Sequence, residues 1–153
     1  MPEYIEATLD KFTFRVATGR RYTKDGVWAF WVQPEAKNRI RVGLTDYLQQ
    51  HSGDIAFVSV KPPGTKLALG DDLAELETVK VNLALPSPVA GTVVEVNPAL
   101  ELTPEVINQD PYEKGWLAVI EAANWEADLA KLLEPQAYFS FMKSEAEKEL
   151  KQK

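Results

Sequence analysis

Through most of this chain, apolar positions alternate with polar ones in short runs, the period-two pattern of strands with one buried face. Phe12, Phe14 and Val16 alternate with Thr13 and Arg15, which predicts a strand or a packed N-terminal arm. Val27-Trp28-Ala29-Phe30-Trp31-Val32 is dense in aromatics and reads as a buried strand rather than a ligand platform. Arg39 to Gly43 follows after the polar break Gln33 to Asn38, so the two runs predict a hairpin. Ile55 to Val60 predicts a further strand, and Pro62-Pro63-Gly64 turns the chain after it. Leu73, Ala74, Leu76 and Val79 then lie apolar between acids, and Val81, Leu83 and Leu85 alternate with Asn82 and Ala84. Two strands therefore meet around Lys80. Trp116 to Ile120 returns as another strand.

Helical signals are shorter and lie mostly between and after the strands. Thr45 can cap a helix over Asp46 to Gln50, with Asp46 at its positive end and Gly53 as its stop. The lone His51 falls in its last turn and reads as a polar surface residue. Leu102-Thr103-Pro104 predicts a second short helix: Thr103 caps, Pro104 takes the first position, and Leu102 staples onto Ile107. Asn124 can cap a third helix from Trp125 to Leu133, broken at Pro135. Tyr138, Phe141, Met142, Ala146 and Leu150 recur at helical spacing, which predicts an amphipathic C-terminal helix packed on the sheet.

Composition narrows the function more than the fold. At 153 residues with 45% apolar content, the chain predicts one domain with a core that needs no staples. It has no cysteine and one histidine, which removes disulfide, thiol and zinc-thiolate chemistry and most histidine-based sites. A net charge of -6 and a pI near 4.9 argue against nucleic acid. No apolar run reaches the length of a membrane span, and the start of the chain lacks a basic flank and a hydrophobic segment. A cytoplasmic monomer is expected. The residues form no Ser-His-Asp set, metal cluster or phosphate-cradling glycine loop, so any chemistry must belong to an attached group.

The Lys80 amine, at the tip where two strands meet, lies where another protein's active site can reach it. A loose mirror surrounds it: Gly64-Thr65 with Gly70-Asp71 before, Gly91-Thr92 with Val93, Val94 and Val96 after. Two similar strand groups can thus pack face to face as a flattened barrel. The Val79-Lys80 pair lacks the Asn-Gly or Gly-X chemistry of short hairpins, so something else must hold the turn. Glu77-Thr78-Val79-Lys80, followed by Pro86 to Asn97, resembles the lipoyl-lysine region of the glycine cleavage H-protein family. Asn97-Pro98-Ala99-Leu100, Pro104 to Tyr112 and Gly115-Trp116-Leu117 resemble a second family signature. Val42 to Tyr47 and Gly53 to Val58 resemble a first. Together they cover roughly residues 20 to 145.

The resemblance implies a mainly β fold, a flattened lipoyl-domain-like β-barrel (barrel-sandwich hybrid) with short helices and C-terminal helices. It divides the chain into an N-terminal extension, residues 1–21, and a single carrier domain, residues 22–153. It implies a non-enzymatic carrier with lipoate amide-linked to Lys80, attached by a lipoate ligase or lipoyl transferase. Glu77, Thr78, Val79 and Val81 form the tip that enzyme would read, with Gly64, Gly70 and Gly91 as turn residues. Val27, Trp28 and Tyr47 are candidates for the cleft that shelters the arm. Dihydrolipoamide dehydrogenase is one implied partner; glycine cleavage enzymes or a heterodisulfide-reductase-like complex are the others.

One loop departs from the family pattern. Tyr22-Thr23-Lys24-Asp25-Gly26-Val27-Trp28 has glycine and valine where family members carry His and Glu, and in glycine-cleaving members that glutamate helps hold the aminomethyl cargo. The departure slightly favours the lipoate-binding paralogues that serve sulfur oxidation, with the glycine cleavage carrier as the alternative. A lipoate relay and an unmodified binding module are further alternatives. Biotin carriers fit poorly, because Val79 and Val81 flank the lysine instead of methionines.

Overall fold

The computed structural model describes residues 3–9, 12–32 and 38–151. Most of the polar break after Val32, residues 33–37, lies outside them. In chain order the strands are β1 (Tyr4–Leu9), β2 (Phe12–Ala17), β3 (Arg21–Tyr22), β4 (Val27–Trp31) and β5 (Arg39–Leu44), followed by helix α1 (Asp46–Ser52). Next come β6 (Ile55–Val60), β7 (Lys66–Leu67), β8 (Asp72–Thr78), β9 (Asn82–Pro86) and β10 (Gly91–Val96). A 3-10 turn at Pro98–Leu100 leads to α2 (Val106–Gln109), β11 (Ala118–Ala122), α3 (Trp125–Leu129) and α4 (Pro135–Lys151).

The strands form a two-stranded sheet β1-β2, a six-stranded sheet β3-β4-β5-β11-β10-β7 and a three-stranded sheet β6-β8-β9. The two larger sheets close on one apolar core, the flattened sandwich expected from the mirror about Lys80. Leu73, Leu76 and Leu85 of the small sheet and Ile40, Val42, Leu44, Val93 and Ile120 of the large one are at most 1% exposed within it. Each such side chain contributes about 1.5–3 kcal/mol by leaving water. Gly64 and Gly70 have positive φ, as turn residues should. Gly91 does not. It opens β10, where an added Cβ would stand 2.2 Å from the Glu121 carbonyl oxygen, so its role is close strand approach.

A second core lies outside the sandwich. Phe14, Val16 and Ala17 of β2 are fully buried against Tyr22, Trp28, Tyr112, Tyr138 and Met142. The amphipathic face of α4 therefore packs on the β1-β2 hairpin and the edge at β3. Tyr22 and Tyr138 stack at 4.6 Å, the Tyr22 hydroxyl donates to the Ala17 carbonyl, and the Tyr138 hydroxyl shares a 2.7 Å bond with Thr45. Buried among apolar groups, the phenols of Tyr22, Tyr112 and Tyr138 are held above their ordinary pKa, because burial penalises the phenolate. Their ordinary value is about 10, so this stability is complete below that pH and is lost as pH rises toward the folded-state values. Alkaline titration should show tyrosinate absorbance from these residues only together with unfolding. Their ionisation near pH 10 in a folded chain would contradict the packing.

The helix ends follow local chemistry in part. The Thr45 hydroxyl accepts from Leu48 N at 3.2 Å, and Gly53 at φ 86° stops α1. Asn124 caps α3, which ends at Leu129 rather than Leu133. Pro135 opens α4 instead of only breaking the preceding helix, since a first-turn proline leaves no donor wanting. At α2 the expected cap fails: the Thr103 hydroxyl donates back to the Ala99 carbonyl at 2.9 Å. Leu102 is 89% exposed, so it staples nothing. The helix begins later instead, at Val106, whose amide bonds the Thr103 backbone carbonyl at 3.0 Å.

Candidate functional site: the Lys80 turn and its cleft

β8 and β9 pair in antiparallel register, with Glu77 opposite Asn82, and leave Thr78-Val79-Lys80-Val81 as the tip. The tip is held by one side chain. The Thr78 hydroxyl donates to the Val81 carbonyl at 3.0 Å and accepts from the amides of Lys80 at 3.2 Å and Val81 at 2.9 Å. Its single donor and both lone pairs are thereby used. The Thr78 amide adds a bond to the same carbonyl at 2.9 Å. This hydroxyl supplies what Val79-Lys80 lacks as a turn pair. Thr78→Ala should loosen the tip by about 1 kcal/mol and slow acylation of Lys80, whereas Thr78→Ser should restore it. Comparing initial lipoylation rates checks this, and an unchanged alanine rate would refute the clamp.

The rest of the tip faces solvent. Lys80 is exposed and makes no ion pair among the described residues, and Val79 and Val81 are 92% and 46% exposed. Val79 is thus presented beside the amine rather than packed beneath it, contrary to its place in the apolar series. Glu77 is exposed, with Phe57, itself 66% exposed, as its neighbour on β6.

Behind the lysine stands the end of α1. A Cβ on Gly53 would meet the Lys80 stem at 3.8 Å. Asn108 of α2 fixes that corner: its Oδ1 accepts from Ile55 N at 2.9 Å, while its Nδ2 donates to the Gly53 carbonyl and to Gln49 Oε1, both at 3.0 Å. One amide thereby joins α1, β6 and α2 directly behind the lysine stem.

From Lys80 a cleft of about 430 Å³ runs between the β1-β2 hairpin and α4. Leu9, Phe12, Ala146 and Leu150 give it apolar walls, and Gln50, His51 and Glu149 its polar groups. The His51 ring stacks on Tyr47 at 5.6 Å and its Nε2 lies 3.3 Å from Glu149 Oε1. An exposed amine beside an apolar-walled cleft that begins at that amine suits a long, mostly apolar acyl group.

None of the three arm-cleft candidates, Val27, Trp28 and Tyr47, lines it. Val27 and Trp28 are 0% exposed: Val27 belongs to the sandwich core, and the Trp28 indole donates to the Pro111 carbonyl at 3.0 Å beneath the Arg20 guanidinium. Buried strand packing excludes them from any cleft, so they present nothing to a cargo. Tyr47, 7% exposed, backs His51 and borders a neighbouring cleft beside Lys24 and Phe141. At Gly26, φ is 95° and Leu48 lies 2.9 Å from where a Cβ would stand, so the histidine of the family pattern has no room here. The walls from Leu9, Phe12, Ala146, Glu149 and Leu150 escaped sequence reading, because they come from opposite ends of the chain. Their one visible signal was the helical recurrence of Ala146 and Leu150.

Comparison with known proteins agrees with this geometry. The family model for glycine cleavage H-protein matches residues 20–145. A probable glycine cleavage system H protein of Thermococcus kodakarensis is 40% identical over 131 residues, covering 86% of this chain and 95% of the relative. The glycine cleavage system H protein of Coprothermobacter proteolyticus is 41% identical over 128 residues, 84% of this chain and 98% of the relative. The crystal structure of a glycine cleavage system H protein from Mycobacterium marinum superposes with a TM-score of 0.69 at 30% identity, covering 78% of this chain and 93% of that one. The leaning toward the sulfur-oxidation paralogues finds no support among these relatives. Identity carried over some 130 residues outweighs one short loop, and the glycine cleavage alternative takes its place. The chain belongs to the glycine cleavage H-protein family, whose members carry lipoate covalently on a lysine.

Proposed function

We propose that this chain carries a lipoyl group on Lys80. In this reading it takes an aminomethyl group from glycine decarboxylase, yields it to aminomethyltransferase, and is reoxidised by dihydrolipoamide dehydrogenase. The observation that carries the reading is the clamped, exposed tip: Lys80 stands free of ion pairs among the described residues, on a turn fixed by Thr78, beside a cleft with both apolar walls and polar groups. A lipoate ligase or lipoyl transferase would read that tip through Glu77, Val79 and Val81. Residues 22–153 would form the carrier domain, with residues 1–21 as an extension built onto it.

The bound lipoyl group supplies a disulfide that becomes a dithiol when it accepts cargo. The protein's part is placement. A tether holds the reactive end near successive partners at high effective concentration, in place of bulk diffusion. Acylation removes the Lys80 charge, which makes lying along Leu9, Phe12, Ala146 and Leu150 favourable. Water is kept from the cargo while it is there. No helix among the described residues is long and apolar enough to cross a membrane.

The test is reconstitution. The chain is lipoylated, its intact mass and modified residue are read, and it is mixed with glycine decarboxylase, glycine and labelled bicarbonate. Label exchange into glycine that depends on the lipoylated chain is expected. A chain that gains the mass on Lys80 yet supports no exchange would overturn the aminomethyl reading.

A further inference from the structure

The β1-β2 hairpin has two outer edges, and only one of them is covered. Thr18 N donates to the Glu3 carbonyl at 2.8 Å, and the strands run in unbroken register from Tyr4 opposite Ala17 to Leu9 opposite Phe12. Antiparallel pairs alternate between bonded and unbonded, so Ile5, Ala7 and Leu9 bond β2, while the amides and carbonyls of Tyr4, Glu6 and Thr8 point away from it. The corresponding outward groups of β2 are met by side chains. Arg15 N donates to Asp46 Oδ2 at 2.9 Å, and the carbonyls of Thr13, Arg15 and Ala17 accept from Gln50, Tyr112 and Tyr22. The outward backbone groups of Glu6 and Thr8 meet no partner among the described residues. The other sheet edges are short or guarded: β3 and β7 have two residues each, β6 is bulged between Ile55 and Phe57, and β9 ends in Pro86. β1 runs for six residues without proline or bulge, and its one charge, Glu6, lies opposite Arg15. An open edge of that length is a template for another strand.

We propose that this edge pairs with β1 of a second copy of the chain, antiparallel, with Ala7 on the twofold axis. In that register Glu6 of each copy exchanges backbone bonds with Thr8 of the other, four bonds in all. Ile5, Ala7 and Leu9 then lie opposite Leu9, Ala7 and Ile5 of the second copy. These three share the face of Phe14 and Val16, which is buried against α4, so the seam joins two apolar rows into one. The neighbouring registers are worse. An axis at Glu6 sets two carboxylates face to face, and an axis at Ile5 sets Ala7 against Glu3 and leaves Leu9 unmatched. α4 packs on both strands, and the twofold places its copy on the same side about 10 Å away, twice the strand spacing and the distance at which helices pack. A seam about 20 Å long is small beside a standard interface, so the dimer is weak and forms at high concentration. Leu9 lines the Lys80 cleft, and Ile5 of the second copy would extend that wall. The inference is independent of what Lys80 carries.

The test is sedimentation equilibrium of the full chain over a rising concentration series. A monomer–dimer equilibrium is expected, with the Glu6 and Thr8 amides exchanging more slowly with solvent as concentration rises. Glu6→Pro removes an outward amide and leaves the bonds to β2 in place, so it should weaken the dimer about thirtyfold. Glu6→Ala keeps that amide and should still dimerise. Thr8→Lys should strengthen the dimer and Thr8→Glu weaken it, because residue 8 meets Glu6 across the seam. Both changes lose the same bond to the Thr13 hydroxyl, so a disturbed hairpin would move them alike. A chain that stays monomeric at every concentration would overturn the proposal. A dimer unmoved by Glu6→Pro would place the contact elsewhere and overturn it as well. Equal effects of Thr8→Lys and Thr8→Glu would overturn the register.

Discussion

Replacing Lys80 by arginine is expected to abolish lipoyl attachment and glycine-dependent exchange while leaving the fold intact. Arginine keeps the positive charge, but its guanidinium stays protonated and offers no free amine to acylate. The tip is solvated and the side chain makes no ion pair among the described residues, so the change should move stability by less than about 0.5 kcal/mol. Intact mass would show no lipoyl increment, exchange would fall to background, and thermal unfolding would stay near that of the wild type. Exchange at the wild-type level in this variant would sink the carrier reading altogether.

The second large effect belongs to Trp28. Its indole is completely buried, donates to the Pro111 carbonyl and packs over Gly43, where a Cβ would come within 2.6 Å of the ring. Trp28→Ala should cost about 3–5 kcal/mol, from lost burial and the void left behind. At about 2–4 °C per kcal/mol for a domain of this size, the melting temperature should drop by roughly 6–20 °C. Lipoylation and exchange measured well below that temperature should survive, because Trp28 lies away from the Lys80 cleft. A variant that melts like the wild type but mishandles the arm would restore Trp28 to the cleft and contradict its burial.

These two residues mark where sequence reading succeeds and where it stops. Lys80 could be picked out because a hairpin tip is a local object: alternation on both sides fixes the strands, and the residues between them must face outward. Trp28 was read correctly as part of a buried strand and also offered as a cleft residue. The first reading rests on the aromatic density of one segment; the second depends on what packs over it, which no local pattern contains. The α2 start failed for a related reason. Thr103, Pro104 and Leu102 satisfy every local rule for a helix start, yet the Thr103 hydroxyl is engaged by the turn before it.

The sequence by itself determined most of the longer strands, the cap and stop of α1, the hairpin that presents Lys80 and the family to which the chain belongs. Each of these rests on alternation, capping chemistry or a contiguous motif. Tertiary structure alone decided that Thr78 clamps the turn, that Asn108 locks the corner behind the lysine, and that Leu9 and Glu149 meet at one cleft. Those contacts join segments as far apart as the two ends of the chain. Sequence neighbours do not specify such a meeting. It follows from how α4 and the first hairpin bury their apolar faces against each other.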